Sequence, residues 1–357
     1  MGCYAPSTAA LAPGIIRLDS NENPLGPSPR ALQAMRRALA DAHAYPDNDC
    51  TTLTGKLSDL HGIPPAQILV TAGSTGMLSL VCHTLLGLGL NAVTSEKSFI
   101  VYGMAVHATG AELIETPARN DGFNLAAIRA AINDRTRLVL LANPNNPTGT
   151  MLEVDELEQF IRELPSHVVV VLDEAYYEFA AHFAGLRKVE YSRALTYLRQ
   201  SASVVVLRTF SKAHGLAGLR IGYGLGPAEL LSYCRRMKDT YSVSSVAQAA
   251  ALAALDDDNH VALSVSHNAE QAQSLGVRLS ELGFRVVPTW ANFLYCEVGQ
   301  DAAEVSRRVS EEGVSVRPLG AWGAPTCIRV SIGTAQQNAK FLEVMRRVLV
   351  PMSSRGG

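Results

Sequence analysis

Short apolar runs alternating with amphipathic stretches are the feature that most restricts how this chain can fold. The runs are Ile68–Thr71, Asn91–Thr94, Glu112–Thr116, Leu138–Ala142, Val168–Leu172 and Val204–Arg208. Several are continuously apolar, as expected of strands covered on both faces. Between them, Thr75–Leu86, Leu125–Ile132 and Val154–Glu163 carry apolar residues at helical spacing. Strand–helix–strand repetition predicts an α/β fold, a mainly parallel sheet with helices on both faces. From about Asp256 a long helical pattern leads into Phe284–Val287, Phe293–Glu297 and Ile328–Ile332, which predicts a smaller α+β domain. The Pro-rich stretch Asn23–Pro29 reads as an extended arm. At 357 residues, two packed domains are the default. We place them at 41–255 and 256–357, with residues 1–40 as an arm joining the smaller one.

Composition narrows the function classes. A formal net charge of −2 gives no electrostatic footprint for nucleic acid or an anionic membrane. No apolar run approaches the roughly 20 residues that span a bilayer, and Met1 to Gly14 lack the pattern of a secretory signal. The six cysteines show no metal-ligand pairing, and none of the nine histidines has metal-ligand spacing. A reducing, cytoplasmic setting is the expectation.

The chemistry-bearing motifs each follow an apolar run. The segment Arg208-Thr-Phe-Ser-Lys-Ala-His-Gly-Leu-Ala-Gly-Leu-Arg220 is rich in small residues. A lysine that condenses with an aldehyde needs a reachable neutral amine. Arg220 can supply charge for a phosphate and help keep Lys212 neutral, while Thr209 and Ser211 offer hydroxyls to the same phosphate. Alone, the segment also fits a surface Lys and Arg after a core strand. Asp173 ends the run Val168–Leu172, where ligand sites of α/β sheets form. It can hold a pyridine nitrogen protonated, or simply cap a helix. Tyr176 follows within reach of the same ligand. Asn143-Pro-Asn-Asn-Pro-Thr-Gly149 forms a tight turn that aims Asn146 above the strand ends. Gly73-Ser74-Thr75 opens a helix whose free N–H groups suit a phosphate. A dinucleotide fingerprint is absent, which disfavours nicotinamide chemistry. Together these groups point to pyridoxal 5′-phosphate (PLP).

In this order the motifs resemble those of the fold-type I PLP-dependent aminotransferases, most nearly the histidinol-phosphate aminotransferase branch. The likeness runs from Asn21-Glu-Asn-Pro-Leu-Gly26 through Tyr45-Pro-Asp, Ser98-Phe-Ile-Val-Tyr102, the Asn143–Gly149 turn, Asp173-Glu-Ala-Tyr176 and the Lys212 segment to Cys327–Thr334. The resemblance implies that Lys212 carries the cofactor and shuttles the proton at the substrate Cα. It implies that Asp173 pairs with the pyridine nitrogen, that Asn146 and Tyr176 bind the phenolic oxygen, and that Phe99 stacks on the ring. Ser74, Thr75, Thr209, Ser211 and Arg220 would hold the phosphate, joined by Tyr45 from a second subunit, so a homodimer is implied. Arg329 and Arg317 would take the substrate's anionic group; apart from the resemblance, Tyr241 and Trp322 could enlarge an aromatic substrate pocket or be ordinary packing. The implied partners are a small-molecule amino donor and a keto acid, typically within histidine biosynthesis.

Departures from that branch cluster on the substrate side. Gly76 replaces a usual acidic residue, Lys97 a frequent proline, Thr240 the proline of a Pro-aromatic pair, and Trp322 a usual tyrosine. None belongs to the PLP set. The leading expectation is histidinol phosphate with 2-oxoglutarate. The alternatives are an aromatic amino acid substrate, decarboxylation of a phosphorylated amino acid, and a non-catalytic PLP-binding protein. Lys212 and Asp173, whose loss would mark an inactive homologue, are both present. His214 is assigned no catalytic role.

Overall fold

A computed structural model describes residues 14–200 and 203–349. Residues 1–13, with Cys3 and nearly all of the stretch read for a secretory signal, lie outside the described residues. The described strands are β1 (Ile16–Leu18), β2 (Ile68–Thr71), β3 (Asn91–Ser95), β4 (Glu112–Thr116), β5 (Thr136–Ala142), β6 (Val169–Asp173), β7 (Val204–Thr209), β8 (Gly222–Leu225), β9 (Arg285–Val287), β10 (Phe293–Glu297), β11 (Val314–Pro318) and β12 (Cys327–Ser331).

A seven-stranded sheet runs in the order β2-β8-β7-β6-β5-β3-β4. Its ladders from β4 to β7 are parallel, while β8 runs antiparallel to both β7 and β2. The apolar runs occupy its buried strands; Leu138–Leu141 and Val204–Leu207 are fully enclosed. β8 has no counterpart among the predicted strands because its Gly-Tyr-Gly-Leu composition lacks strand propensity. The glycine is nevertheless required: a Cβ on Gly222 would lie 2.6 Å from the Ser74 backbone nitrogen. That close approach seats the helix Gly73–Leu85 over the sheet. This helix begins two residues before the predicted Thr75, so Ser74 and Thr75 both fall in its first turn.

The second sheet, β1-β11-β12-β10-β9, has a core of its own that includes Leu275, Leu294, Ile328 and Phe341. The arm divides its contacts. β1 pairs with β11 in parallel, but the helix Pro29–Ala38, capped by Ser28, packs against the helix Ser245–Leu255. Ala31 is buried in the core of the large sheet. Of the described residues up to 40, only the first few therefore join the smaller sheet, because the helix that follows buries Ala31 and Ala34 and packs against Ser245–Leu255. Among the described residues no helix is long and apolar enough to cross a membrane, and the described cysteines are all unpaired.

Candidate active site

Strands β5, β6 and β7 are in register, with Ala142 opposite Asp173 and Asp173 opposite Leu207. Their carboxyl ends form the floor of a cavity of about 450 Å³. The smaller sheet and the arm supply its far wall through Trp322, Arg329, Arg17 and Ser20–Glu22. This is where a mainly parallel sheet leaves room for a ligand.

Lys212 lies in the loop after β7. Its Nζ donates to the Asn21 carbonyl at 3.0 Å and the Ser20 carbonyl at 3.3 Å. Burial pulls its pKa down to about 7, helped by the Arg329 and Arg220 guanidinium groups and opposed by Glu22 and Asp173. Near neutrality a large share of this amine is therefore uncharged, which a nucleophilic lysine requires.

Asp173 is buried at the end of β6. Burial raises its pKa to about 6, against the stabilising Ala175 N–H and the Tyr102 hydroxyl. The Ala175 N–H donates to Oδ1 at 3.1 Å, and Tyr102 Oη donates to Oδ2 at 3.4 Å. A carboxylate in this setting is well placed to gain a cationic hydrogen-bond partner. On the opposite side of the sheet, Glu174 and Arg208 form a buried ion pair, Arg208 Nη2 donating to Oε2 at 2.8 Å. The pair ties the ends of β6 and β7 together, so Asp173 and Thr209 keep their spacing.

The turn after β5 is held by its own polar groups. Asn145 Nδ2 donates to Thr148 Oγ1 at 2.8 Å, and the Gly149 N–H donates to the Asn145 carbonyl at 2.8 Å. Asn146 is thereby presented to the cavity, where its Oδ1 accepts from Arg329 Nη1 at 2.5 Å. Tyr176 Oη accepts from Asn21 Nδ2 at 2.9 Å. Phe99 lines the same wall, edge-on to Tyr102 with centroids 5.6 Å apart.

An anion cradle forms at one end. The first-turn residues Ser74 and Thr75 face Thr209, Ser211 and Arg220 across the cavity lining. Thr209 Oγ1 donates to Ser211 Oγ at 2.9 Å, and Arg220 Nη1 approaches the same oxygen at 3.4 Å. Gly73, at φ +77°, admits the arginine: a Cβ there would sit 2.7 Å from Arg220 Nη2. Backbone N–H groups, two hydroxyls and a guanidinium make a phosphate-shaped donor set.

Three of the sequence-predicted residues are not in this cavity. Arg317 is the cross-strand partner of Arg329 on β11 and β12 and is buried like it, its Nε directed at the Asp19 carbonyl at 3.4 Å. It shares the Asp19 carbonyl with Arg329 Nη2 and so helps anchor the arm, and it is not among the residues that line the cavity. Tyr45 and Tyr241 lie outside as well. Their rings stack on each other at 4.5 Å, and they are 82% and 44% exposed. Of the departures, Lys97 is engaged by Asp121 at 3.5 Å, whereas Trp322 lines the cavity. Sequence reading missed Tyr102, Arg17, Ser20, Asn21 and Glu22 as site residues. Tyr102 closes the Ser98–Tyr102 motif, in which the resemblance gives a role to Phe99 alone. Asn21 and Glu22 stood in a recognisable motif that gave no hint of their direction, and Arg17 and Ser20 stood before it.

The sequence of residues 13–345 matches the family model for aminotransferase class I and II. The chain belongs to this family. Histidinol-phosphate aminotransferase 2 of Pseudomonas fluorescens is 42% identical over 335 residues, covering 94% of this chain and 89% of that protein. Histidinol-phosphate aminotransferase 1 of Thiobacillus denitrificans is 43% identical over 341 residues, covering 96% and 87%. Among solved structures, a histidinol-phosphate aminotransferase from Sinorhizobium meliloti in complex with pyridoxal-5′-phosphate superposes with a TM-score of 0.86 at 29% identity, covering 94% of this aminotransferase and 91% of that chain. The family and fold read from the motifs therefore hold.

Proposed function

We propose that this aminotransferase binds pyridoxal 5′-phosphate through Lys212 and transfers the amino group of histidinol phosphate to 2-oxoglutarate. The observation that carries the reading is a lysine with a pKa near 7 facing a buried aspartate and a phosphate-shaped cradle in one cavity. The cavity suits the cofactor at each of its polar ends. Arg220, Ser211, Thr209 and the Ser74 and Thr75 N–H groups hold the phosphate, Asp173 pairs with the ring nitrogen, Asn146 and Tyr176 address the phenolic oxygen, and Phe99 covers the ring. When bound, the cofactor supplies an electron sink for charge developing at the substrate Cα.

The chain's own residues handle the rest. Lys212 Nζ, neutral near pH 7, takes the proton from Cα and returns it to the cofactor side. Tyr102 keeps Asp173 hydrogen-bonded and oriented. Arg329 grips the carboxylate of glutamate with parallel hydrogen bonds, trading away its contact with Asn146. The smaller sheet and the arm exclude water from above. Tyr45, exposed on its own subunit, reaches the cofactor phosphate of a second copy in a homodimer, with Tyr241 carried beside it. We take residues 41–255 as the cofactor domain, 256–357 as the smaller domain, and the cytoplasm as the working compartment.

A second reading, transamination of aromatic amino acids, is favoured by one observation: Trp322 lines the cavity. Single-turnover reactions separate the two. The holoenzyme mixed with histidinol phosphate should lose its visible cofactor band far faster than with phenylalanine. A band that responds only to phenylalanine refutes the histidinol phosphate assignment.

A further inference from the structure

Beneath the floor, the linker between the helices Tyr177–Arg187 and Ala194–Arg199 meets the strand ends that carry the cofactor groups. Two adjacent side chains make the contacts. Tyr191 Oη donates to the Asn143 carbonyl, directly after β5, and Ser192 Oγ donates to Glu174 Oε1, directly after β6. Glu174 Oε2 accepts from Arg208 Nε at 3.1 Å and Nη2 at 2.8 Å, so the brace reaches β7 as well. Tyr191 is buried with Ala180 and Ala184. Its ring centroid lies 5.6 Å from that of Tyr177, and the Arg208 guanidinium sits 3.4 Å over the Tyr177 ring. Burial, with Glu174 nearby, pushes the Tyr191 phenol well above its ordinary pKa, so it remains a donor.

Tyr191 acts on the peptide that leads the Asn143–Gly149 turn into the cavity. The Asn143 N–H donates to the Asp173 carbonyl at 2.9 Å, and its Oδ1 accepts from the Leu152 N–H at 2.9 Å. Its carbonyl is held by Tyr191, and Pro144 and Asn146 just after it line the cavity. A buried carbonyl that loses its donor goes unpaired at a cost or turns toward another partner, and the turn moves with it. We propose that Tyr191 is a positioning residue for the cofactor: its hydroxyl sets where Asn146 stands, and so how well Asn146 donates to the phenolic oxygen. Negative charge on that oxygen holds a proton on the nitrogen that Lys212 contributes beside it. A donor from Asn146 lowers that charge and eases the proton's loss. The inference deepens the reading of Asn146 and rests on it.

A pH titration of the holoenzyme's visible cofactor band tests it, together with the affinity of the apoprotein for pyridoxal phosphate. Asn146→Ala marks the full effect, and its band should titrate at higher pH than that of wild type. Tyr191→Phe, which keeps the ring, should move the midpoint the same way by less and weaken pyridoxal phosphate binding about tenfold. Ser192→Ala, which loosens the same linker, should give a smaller shift again. Ala184→Gly is the control: it disturbs the packing around Tyr191, lowers Tm and should leave the midpoint in place. A Tyr191→Phe protein that melts earlier yet titrates and binds like wild type overturns the proposal. So does a control that shifts the midpoint as far as Tyr191→Phe. If Tyr191→Phe does not fold, Ser192→Ala decides by the same midpoint. If Asn146→Ala leaves the midpoint unmoved, the reading of Asn146 fails and Tyr191 is judged by affinity alone. Weaker pyridoxal phosphate binding in Tyr191→Phe then keeps it as a positioning residue, and unchanged binding removes it.

Discussion

The floor and the mouth of the cavity are built on different principles. Floor residues sit at the ends of adjacent buried strands, and each is fixed by short-range bonds: Asp173 by Ala175 and Tyr102, Asn146 by its turn, Thr209 by Ser211. Mouth residues are held less firmly. Arg17 and Glu22 meet as an exposed pair, and outside the cavity Tyr45 and Tyr241 stack on the surface. A buried, internally bonded floor suits a cofactor that stays. An exposed, exchangeable mouth suits a site that admits two substrates of different shape in turn. The chemistry is thus written into the rigid part and the selectivity into the adaptable part.

If that division is right, substitutions in the floor should cost far more than those at the mouth. The largest effect is expected from Lys212→Ala, which should abolish turnover while circular dichroism stays native; residual turnover at even a hundredth of wild type would break the comparison. Asp173→Asn should follow, lowering kcat by about 10²–10³ as the charge opposite the ring nitrogen is lost. Tyr102→Phe removes one hydrogen bond to Asp173 and should cost up to about tenfold in kcat with KM little moved.

Floor and mouth also meet in the titration of Lys212. Arg329 is the leading charge holding that amine down. The rate at which apoprotein takes up pyridoxal phosphate should rise through about pH 7, and Arg329→Gln should move that rise to higher pH. Because the folded pKa lies below the ordinary value of 10.5, the unfolded chain binds more protons between about 7 and 10.5. Lys212 therefore makes the apoprotein more stable as pH rises through that window. The accompanying shift in apoprotein Tm is expected to be the smallest of these effects, and thermal melts of wild type against Lys212→Met isolate it.

The floor was legible in the sequence because its residues directly follow apolar runs, and strand order places such positions on one edge. Asp173 and Lys212 stood at such positions, and the company of the other motifs decided between a cofactor site and a helix cap or a surface lysine. β8 escaped because Gly222 was selected for a close approach to Ser74, which erases strand propensity. Arg17 shows the limit on the mouth side: it sits on a strand of the smaller sheet, and nothing in its own stretch of sequence says that this strand closes the cavity. Tyr102 stood in the Ser98–Tyr102 motif without a role, because the sequence does not show that its hydroxyl reaches Asp173 from 71 residues away.

The most direct test of the central claim is reductive trapping. Holoenzyme treated with borohydride and digested should carry the phosphopyridoxyl mass on the peptide containing Lys212 and on no other. Failure to incorporate the label, or its appearance on a different lysine, would contradict the account.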